Sequence, residues 1–139
     1  MGLDIYFYKG KSLAQSREER IKEDIAAFEK ADEEGEMLDE DLYFRKVNLL
    51  VRYFDYNENC SYKPIEKEEV EELLERCDKV LEVKNTDVSM EYLPTCCGFF
   101  FGSTDYDEWY YTVVGSVKEA FESLKIDWDK ENLYIMCSW

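Results

Sequence analysis

The chain has 139 residues, with 33 Asp and Glu against 17 Lys and Arg, a formal net charge of −16, five cysteines and no histidine. That length fits one domain with a substantial core, and an aromatic content of 16% excludes a disordered acidic tail. The charge argues against general affinity for nucleic-acid phosphates, and the missing histidine excludes His-dependent triads and His-containing metal sites.

The first residues, Met1-Gly2-Leu3-Asp4-Ile5-Tyr6-Phe7-Tyr8-Lys9, carry no basic n-region and no long apolar h-region, so they do not read as a signal peptide. Tyr6 stands where a myristoylation signal wants Ser or Thr. No apolar stretch approaches the roughly 18 residues of a membrane span. Cysteines at 60, 77, 96, 97 and 137 are odd in number and irregular in spacing. The expectation is a cytoplasmic protein with reduced thiols.

Leu3, Ile5 and Phe7 alternate with Asp4, Tyr6 and Tyr8, the period of a strand with one apolar face. A helix is predicted from Ser16, where Ser16-Arg17-Glu18-Glu19 forms a capping box, with Ile21, Ile25 and Phe28 as its stripe and Gly35 as its stop. A second helix is predicted after Asp39, with Tyr43, Val47, Leu50 and Phe54 on one face, broken by Asn57 and Asn59. Residues 60–65 read as a short edge strand because Pro64 lacks a ladder donor. Residues 66–83 form the clearest helix, with Val70, Leu73, Leu74, Cys77, Val80 and Leu81 inside.

Residues 85–91 read as a connection, and Gly98-Phe99-Phe100-Phe101-Gly102 as a short aromatic strand. A fourth helix is expected after Ser103-Thr104-Asp105, with Tyr106, Tyr110, Val113, Val117, Phe121 and Leu124 inward. Leu133 to Trp139 alternate as a last strand, a candidate neighbour of the first. The predicted fold is a single α+β domain over residues 1–139, with about four helices on a small antiparallel or mixed sheet.

Four segments together resemble a family of small bacteriophage and prophage proteins. They are Met1 to Tyr6, Tyr43-Phe44-Arg45-Lys46-Val47-Asn48, the block from Leu93-Pro94-Thr95 through Gly98-Phe99-Phe100-Phe101-Gly102-Ser103-Thr104-Asp105-Tyr106-Asp107, and the terminal Ser138-Trp139. The likeness spans nearly the whole chain; Ile5 stands where Met is usual, and Phe44 where Trp is usual. The resemblance implies a common origin and one continuous fold more than a mechanism. It also implies a viral or mobile-element role, counter-defence against the host included.

Two regions compete for a site. In the Gly98–Trp109 block, Ser103, Thr104, Asp105, Tyr106 and Trp109 precede or open a helix whose free N–H groups suit an anion or polar ligand. The same residues read first as a buried strand turning into a helix capped by Thr104 or Asp105, with Glu108 completing a box. Arg45, Asn48 and Arg52, placed three and four apart on a predicted helical flank with Lys46 beside them, are the densest cationic group. They suit bidentate capture of a carboxylate or phosphate, or an internal ion pair with Asp4, Asp105 or Asp107. Convergence of the two regions, joined by Asp4 and Tyr6 from the first strand, would form one pocket.

The vicinal Cys96-Cys97 pair matches neither a redox motif nor a metal-ligand spacing, and Cys77 and Cys137 read as core residues. No metal or cofactor is therefore expected. Seven acids crowd residues 32–41 (Asp32, Glu33, Glu34, Glu36, Asp39, Glu40, Asp41), either as a solubilising face or as a mimic of a nucleic-acid backbone. No catalytic motif singles out a carboxylate pair, and Asp4 with Asp105 or Asp107 would need to be buried together to do acid–base work. The expected function is a non-enzymatic phage-type accessory protein that binds a host protein with a basic surface, as an inhibitor of host defence or nucleic-acid machinery. It would bind neither nucleic acid directly nor a membrane, and its oligomeric state stays open. The alternative is a small-ligand-binding, sponge-like domain with its pocket near the glycine–phenylalanine block.

Overall fold

Alternation at the N-terminus becomes strand β1 (Asp4–Lys9) in the computed structural model, which describes residues 2–98 and 102–139. Leu3, Ile5 and Phe7 are fully buried on one face, while Asp4 and Tyr6 point to the other. The remaining elements in chain order are α1 (Arg17–Glu33), β2 (Leu42–Arg45), α2 (Asn48–Tyr53), β3 (Lys63–Ile65), α3 (Lys67–Val83), α4 (Thr86–Tyr92), α5 (Glu108–Ser123) and β4 (Leu133–Ser138).

The sheet is antiparallel throughout, in the order β2-β1-β4-β3. The first and last strands are central neighbours, with Asp4 opposite Ser138 and Lys9 opposite Leu133. Pro64 sits in β3, an edge strand, where a missing donor costs no ladder bond. Leu3, Ile5, Phe7, Leu133, Ile135 and Cys137 form the main core with residues of α2, α3 and α5. Phe121 of α5 meets Phe7 edge-on at 5.1 Å between centroids. On the opposite face, Phe28 of α1 packs with Tyr8, Tyr62 and Tyr134 as a second cluster. The sheet thus lies between α1 and the other core helices, an α+β single domain.

Local signals set most boundaries. Ser16 caps α1 by accepting the Glu19 N–H. Gly35, at φ +70°, ends it with Gly35 N–H on the Asp32 carbonyl and Glu36 N–H on the Ala31 carbonyl, the paired bonds of a Schellman stop. Glu66 and Glu69 form the box that opens α3.

Three expected elements need correction. The helix predicted after Asp39 is β2, a left-handed kink at Lys46 (φ 59°), and only then the short α2. Pairing with β1 overrides the four-residue spacing: Phe44 goes to the core and Tyr43 to the outer face. Residues 85–91, read as a connection, instead hold most of α4 (Thr86–Tyr92), which Asn85 caps by accepting the Asp87 and Val88 N–H groups. The fourth expected helix, α5, starts later, with Asp107 rather than Thr104 or Asp105 as cap, accepting the Tyr110 N–H. Its fully buried row is Tyr110, Val114, Val117 and Phe121, with Val113 half-buried; Tyr106 and Leu124 lie outside its ends. The strand predicted across the three phenylalanines 99–101 lies outside the described residues; Gly98 and Gly102 on either side are in irregular backbone.

Candidate functional site

The two regions singled out in the sequence do meet. Asn48, at the start of α2 and 4% exposed, accepts the Cys96 N–H at 3.2 Å and donates to the Ser103 carbonyl at 2.9 Å. Those bonds stitch the connection between α4 and α5 to the β2–α2 junction. Thr95 strengthens the seam: its hydroxyl donates to the Thr104 carbonyl at 3.0 Å, and its N–H donates to the Tyr106 hydroxyl at 3.0 Å. Gly102, at φ +92°, runs close to Lys46, whose Cβ would stand 3.1 Å from an added Cβ. A side chain there would be strained by both backbone and contact.

A cleft of about 350 Å³ opens beside this seam, within the size range of small-ligand pockets. Arg45, Asn48, Ser103, Asp105 and Trp109 line it, over an apolar base that includes Leu49 and Tyr110. Trp109 is 68% exposed, an indole that presents most of its surface to solvent. Among the described residues Arg45 is exposed and forms no hydrogen bond or ion pair. No ion pair forms between Arg45 and Asp4 although the two are cross-strand partners; the Asp4 carboxylate accepts the Tyr43 hydroxyl at 2.6 Å. That bond, with burial second, pushes the Tyr43 phenol up to about 12. Arg45 and Lys46 against Asp105 leave the charged lining with a cationic excess on a strongly acidic chain.

Other predicted site residues fall elsewhere. Asp4 and Tyr6 lie on the α1-side face of the sheet, where Tyr6 meets Tyr43 at 5.1 Å between centroids. Arg45 is on a strand, so it shares no helical flank with Asn48 and Arg52. Arg52 donates to the Thr95 carbonyl at 3.3 Å and lines a different groove with Glu69, Glu72 and Arg76. Thr104 and Tyr106 brace the seam without lining the cleft. Asp105 and Asp107 are exposed, so the acid–base pairing with Asp4 has no shared burial behind it. All seven acids of the 32–41 face are exposed; the Tyr62 hydroxyl donates to Asp32, and Lys9 lies 3.7 Å from Asp41.

Asp24 is the residue that the sequence reading missed. It is 4% exposed in the middle of α1, accepts the Ser12 N–H at 2.9 Å and the Tyr134 hydroxyl at 2.6 Å, and lines a second cleft on the α1 side. Burial first, and the Asp24 bond second, raise the Tyr134 phenol far above its ordinary value. Its signal was in the spacing: Asp24 lies three residues after Ile21 and four before Phe28, on the apolar stripe itself.

Among the described residues no group of three Cys, Asp or Glu side chains is placed to hold a metal ion, and no helix is long and apolar enough to cross a membrane. Cys96 and Cys97 lie in the irregular α4–α5 connection, while Cys77 and Cys137 are fully buried in the core. The fold defines a small α+β domain with several ligand-sized surface clefts, the Arg45–Trp109 and Asp24 clefts among them. Comparison with protein-family models, curated proteins and solved structures finds no match to the chain.

Proposed function

We propose that the protein is a binding module that engages a basic partner protein through its acidic surface. The supporting observation is how little of the negative charge is neutralised internally. The described residues form five ion pairs, against 33 acidic side chains in the chain. Glu33, Glu34, Glu36, Asp39 and Glu40 are exposed and take part in none of them. Such a surface accelerates encounter with a cationic partner and selects against anionic ones. The resemblance to small phage and prophage proteins points to a partner in the host cell, within defence or nucleic-acid machinery.

The test is affinity capture from host lysate, with mass spectrometry, using the native chain and a variant with Glu33, Glu34, Glu36, Asp39 and Glu40 changed to Gln or Asn. The expected result is a basic protein retained by the native chain, lost with the variant and eluted by moderate salt. The same proteins captured equally by both chains would overturn the proposal.

A second reading is favoured by Arg45: a small anionic ligand bound in the Arg45–Trp109 cleft. The guanidinium, without an ion pair among the described residues, suits a carboxylate or phosphate, and Trp109 offers a face for stacking. Mass spectrometry of the denatured, freshly purified protein checks it, with Arg45→Ala expected to release whatever the native chain retains.

A further inference from the structure

The cleft on the α1 side, about 420 Å³ in volume, is assigned by neither reading above. Its walls include Tyr8 and Phe28, whose ring centroids stand 5.7 Å apart. Met37, 94% exposed, and Leu38 contribute apolar surface at its edge. Of its two cations, Lys9 is already committed: its ammonium donates to the Lys125 carbonyl at 2.9 Å and pairs with Asp41, while Lys11 is exposed and forms no ion pair among the described residues, so the lining carries a net excess of one carboxylate. Three carboxylates line the same space, Glu23, Asp24 and Asp39. Asp24 is held in place by Ser12 and Tyr134, so its position is set before anything binds. Glu23 and Asp39 are exposed and form no ion pair among the described residues.

A ligand suited to this cleft has an apolar stem, a flat cationic end and several donors. Arginine combines these: its methylenes pack on apolar surface such as that of Met37 and Leu38, and its planar fork of donors matches carboxylates, while Tyr8 and Phe28, 6% and 7% exposed, form the floor. A lysine ammonium fits less well, being more strongly hydrated and lacking the planar face. We propose that this cleft is the anchor pocket for an arginine side chain presented by the partner protein. The proposal rests on the reading that the partner is basic, and specifies where one of its side chains is held.

The test uses the full chain, ¹⁵N-labelled, titrated with blocked Gly-Arg-Gly, Gly-Lys-Gly and Gly-Gln-Gly peptides at physiological ionic strength, where surface attraction is screened beyond about 8 Å. The arginine peptide should give saturable shifts confined to residues 8–12, 23–28 and 37–39, with the lysine peptide about tenfold weaker and the glutamine peptide silent. Ala27→Trp, which places an indole into the cleft from an exposed position, should abolish the shifts. The double variant Glu23→Gln with Asp39→Asn, both at exposed positions, should weaken them and serves should the tryptophan disturb folding. Equal binding of arginine and lysine peptides, shifts spread without saturation over all acidic faces, or undiminished binding by both variants would overturn the pocket. Capture of the basic partner separates the two levels. Loss of partner with the five-acid variant but not with Ala27→Trp sinks the pocket and leaves the acidic-surface reading intact. No loss with the five-acid variant sinks the reading itself.

Discussion

The same substitution, glycine to alanine, should change stability in opposite directions at two positions. An added Cβ at Gly10 would stand 1.8 Å from Asp24 Oδ2 and 2.1 Å from its Cγ. The carboxylate must therefore leave its seat, and with it go the Ser12 N–H and Tyr134 hydroxyl bonds. Hydrogen bonds from neutral donors to a charged acceptor contribute about 1.5–3 kcal/mol each, so Gly10→Ala should cost roughly 3–6 kcal/mol. Of a total stability on the order of 5–15 kcal/mol, that is a large fraction. Gly115 lies inside α5 with nothing within 4 Å of an added Cβ. There the substitution should stabilise by roughly 0.5–1 kcal/mol, because alanine loses less backbone entropy in a helix. Urea unfolding followed by circular dichroism measures both. Tyr134→Phe supplies an internal check, since it removes one of the bonds that Gly10→Ala breaks; the double variant should cost less than the sum of the singles. Strict additivity, or a Gly10→Ala loss below about 0.5 kcal/mol, would refute the account of Asp24 as a pinned carboxylate.

Burial raises the phenols of Tyr8, Tyr53, Tyr62, Tyr110 and Tyr134 above their ordinary value. The folded state favours their neutral form, so this stability is complete below about pH 10 and is lost as pH climbs through the raised values. Melting temperature should therefore fall steeply above about pH 10, with tyrosinate absorbance from these rings appearing only on unfolding; a flat profile to higher pH would contradict the assignment. Burial likewise pushes the Cys77 and Cys137 thiols up to about 12, whereas Cys60 and Cys97 are exposed and Cys96 half-exposed. A thiol reagent should label Cys60, Cys96 and Cys97 in the native protein and all five cysteines after denaturation, read by peptide mass mapping.

Elements whose pattern and partner agree were legible from the sequence. The alternation in β1 and β4 and the apolar row of α3 each name the face that is buried, and the Ser16 cap marks where α1 begins. Residues 42–54 were not, because Tyr43, Val47, Leu50 and Phe54 have helical spacing while the strand pairing that decides the matter comes from β1, some forty residues away. The Arg45–Asn48–Ser103 convergence was legible as a juxtaposition, but not its geometry: Tyr43 reaches Asp4 and Arg45 stands across from it only because residues 42–45 form a strand beside β1, where their own spacing suits a helix. Arg20 and Asp24, on the same face of α1 as Phe28, show what patterning by hydrophobicity overlooks. A charge in an apolar stripe is a flag for a buried polar contact, since burial without partners is costly.

The two clefts carry opposite local charge on one acidic chain, and this makes the two binding modes separable by salt. Around the Arg45–Trp109 cleft the charged lining has more cations than acids, yet the field at a distance is that of a chain at −16. A small anion approaching Arg45 is repelled until it comes within about a Debye length, so added salt should raise its association rate. Once seated, its bond to the guanidinium is short-ranged and less sensitive to screening. A basic protein approaching the acidic surface experiences attraction at every distance, so its association rate should fall with salt. The Glu23–Asp24–Asp39 cleft adds to that attraction, and its contribution belongs mainly to dissociation, where a desolvated anchor acts. Association rates measured across salt concentrations therefore report which cleft a given ligand uses, even before its identity is known.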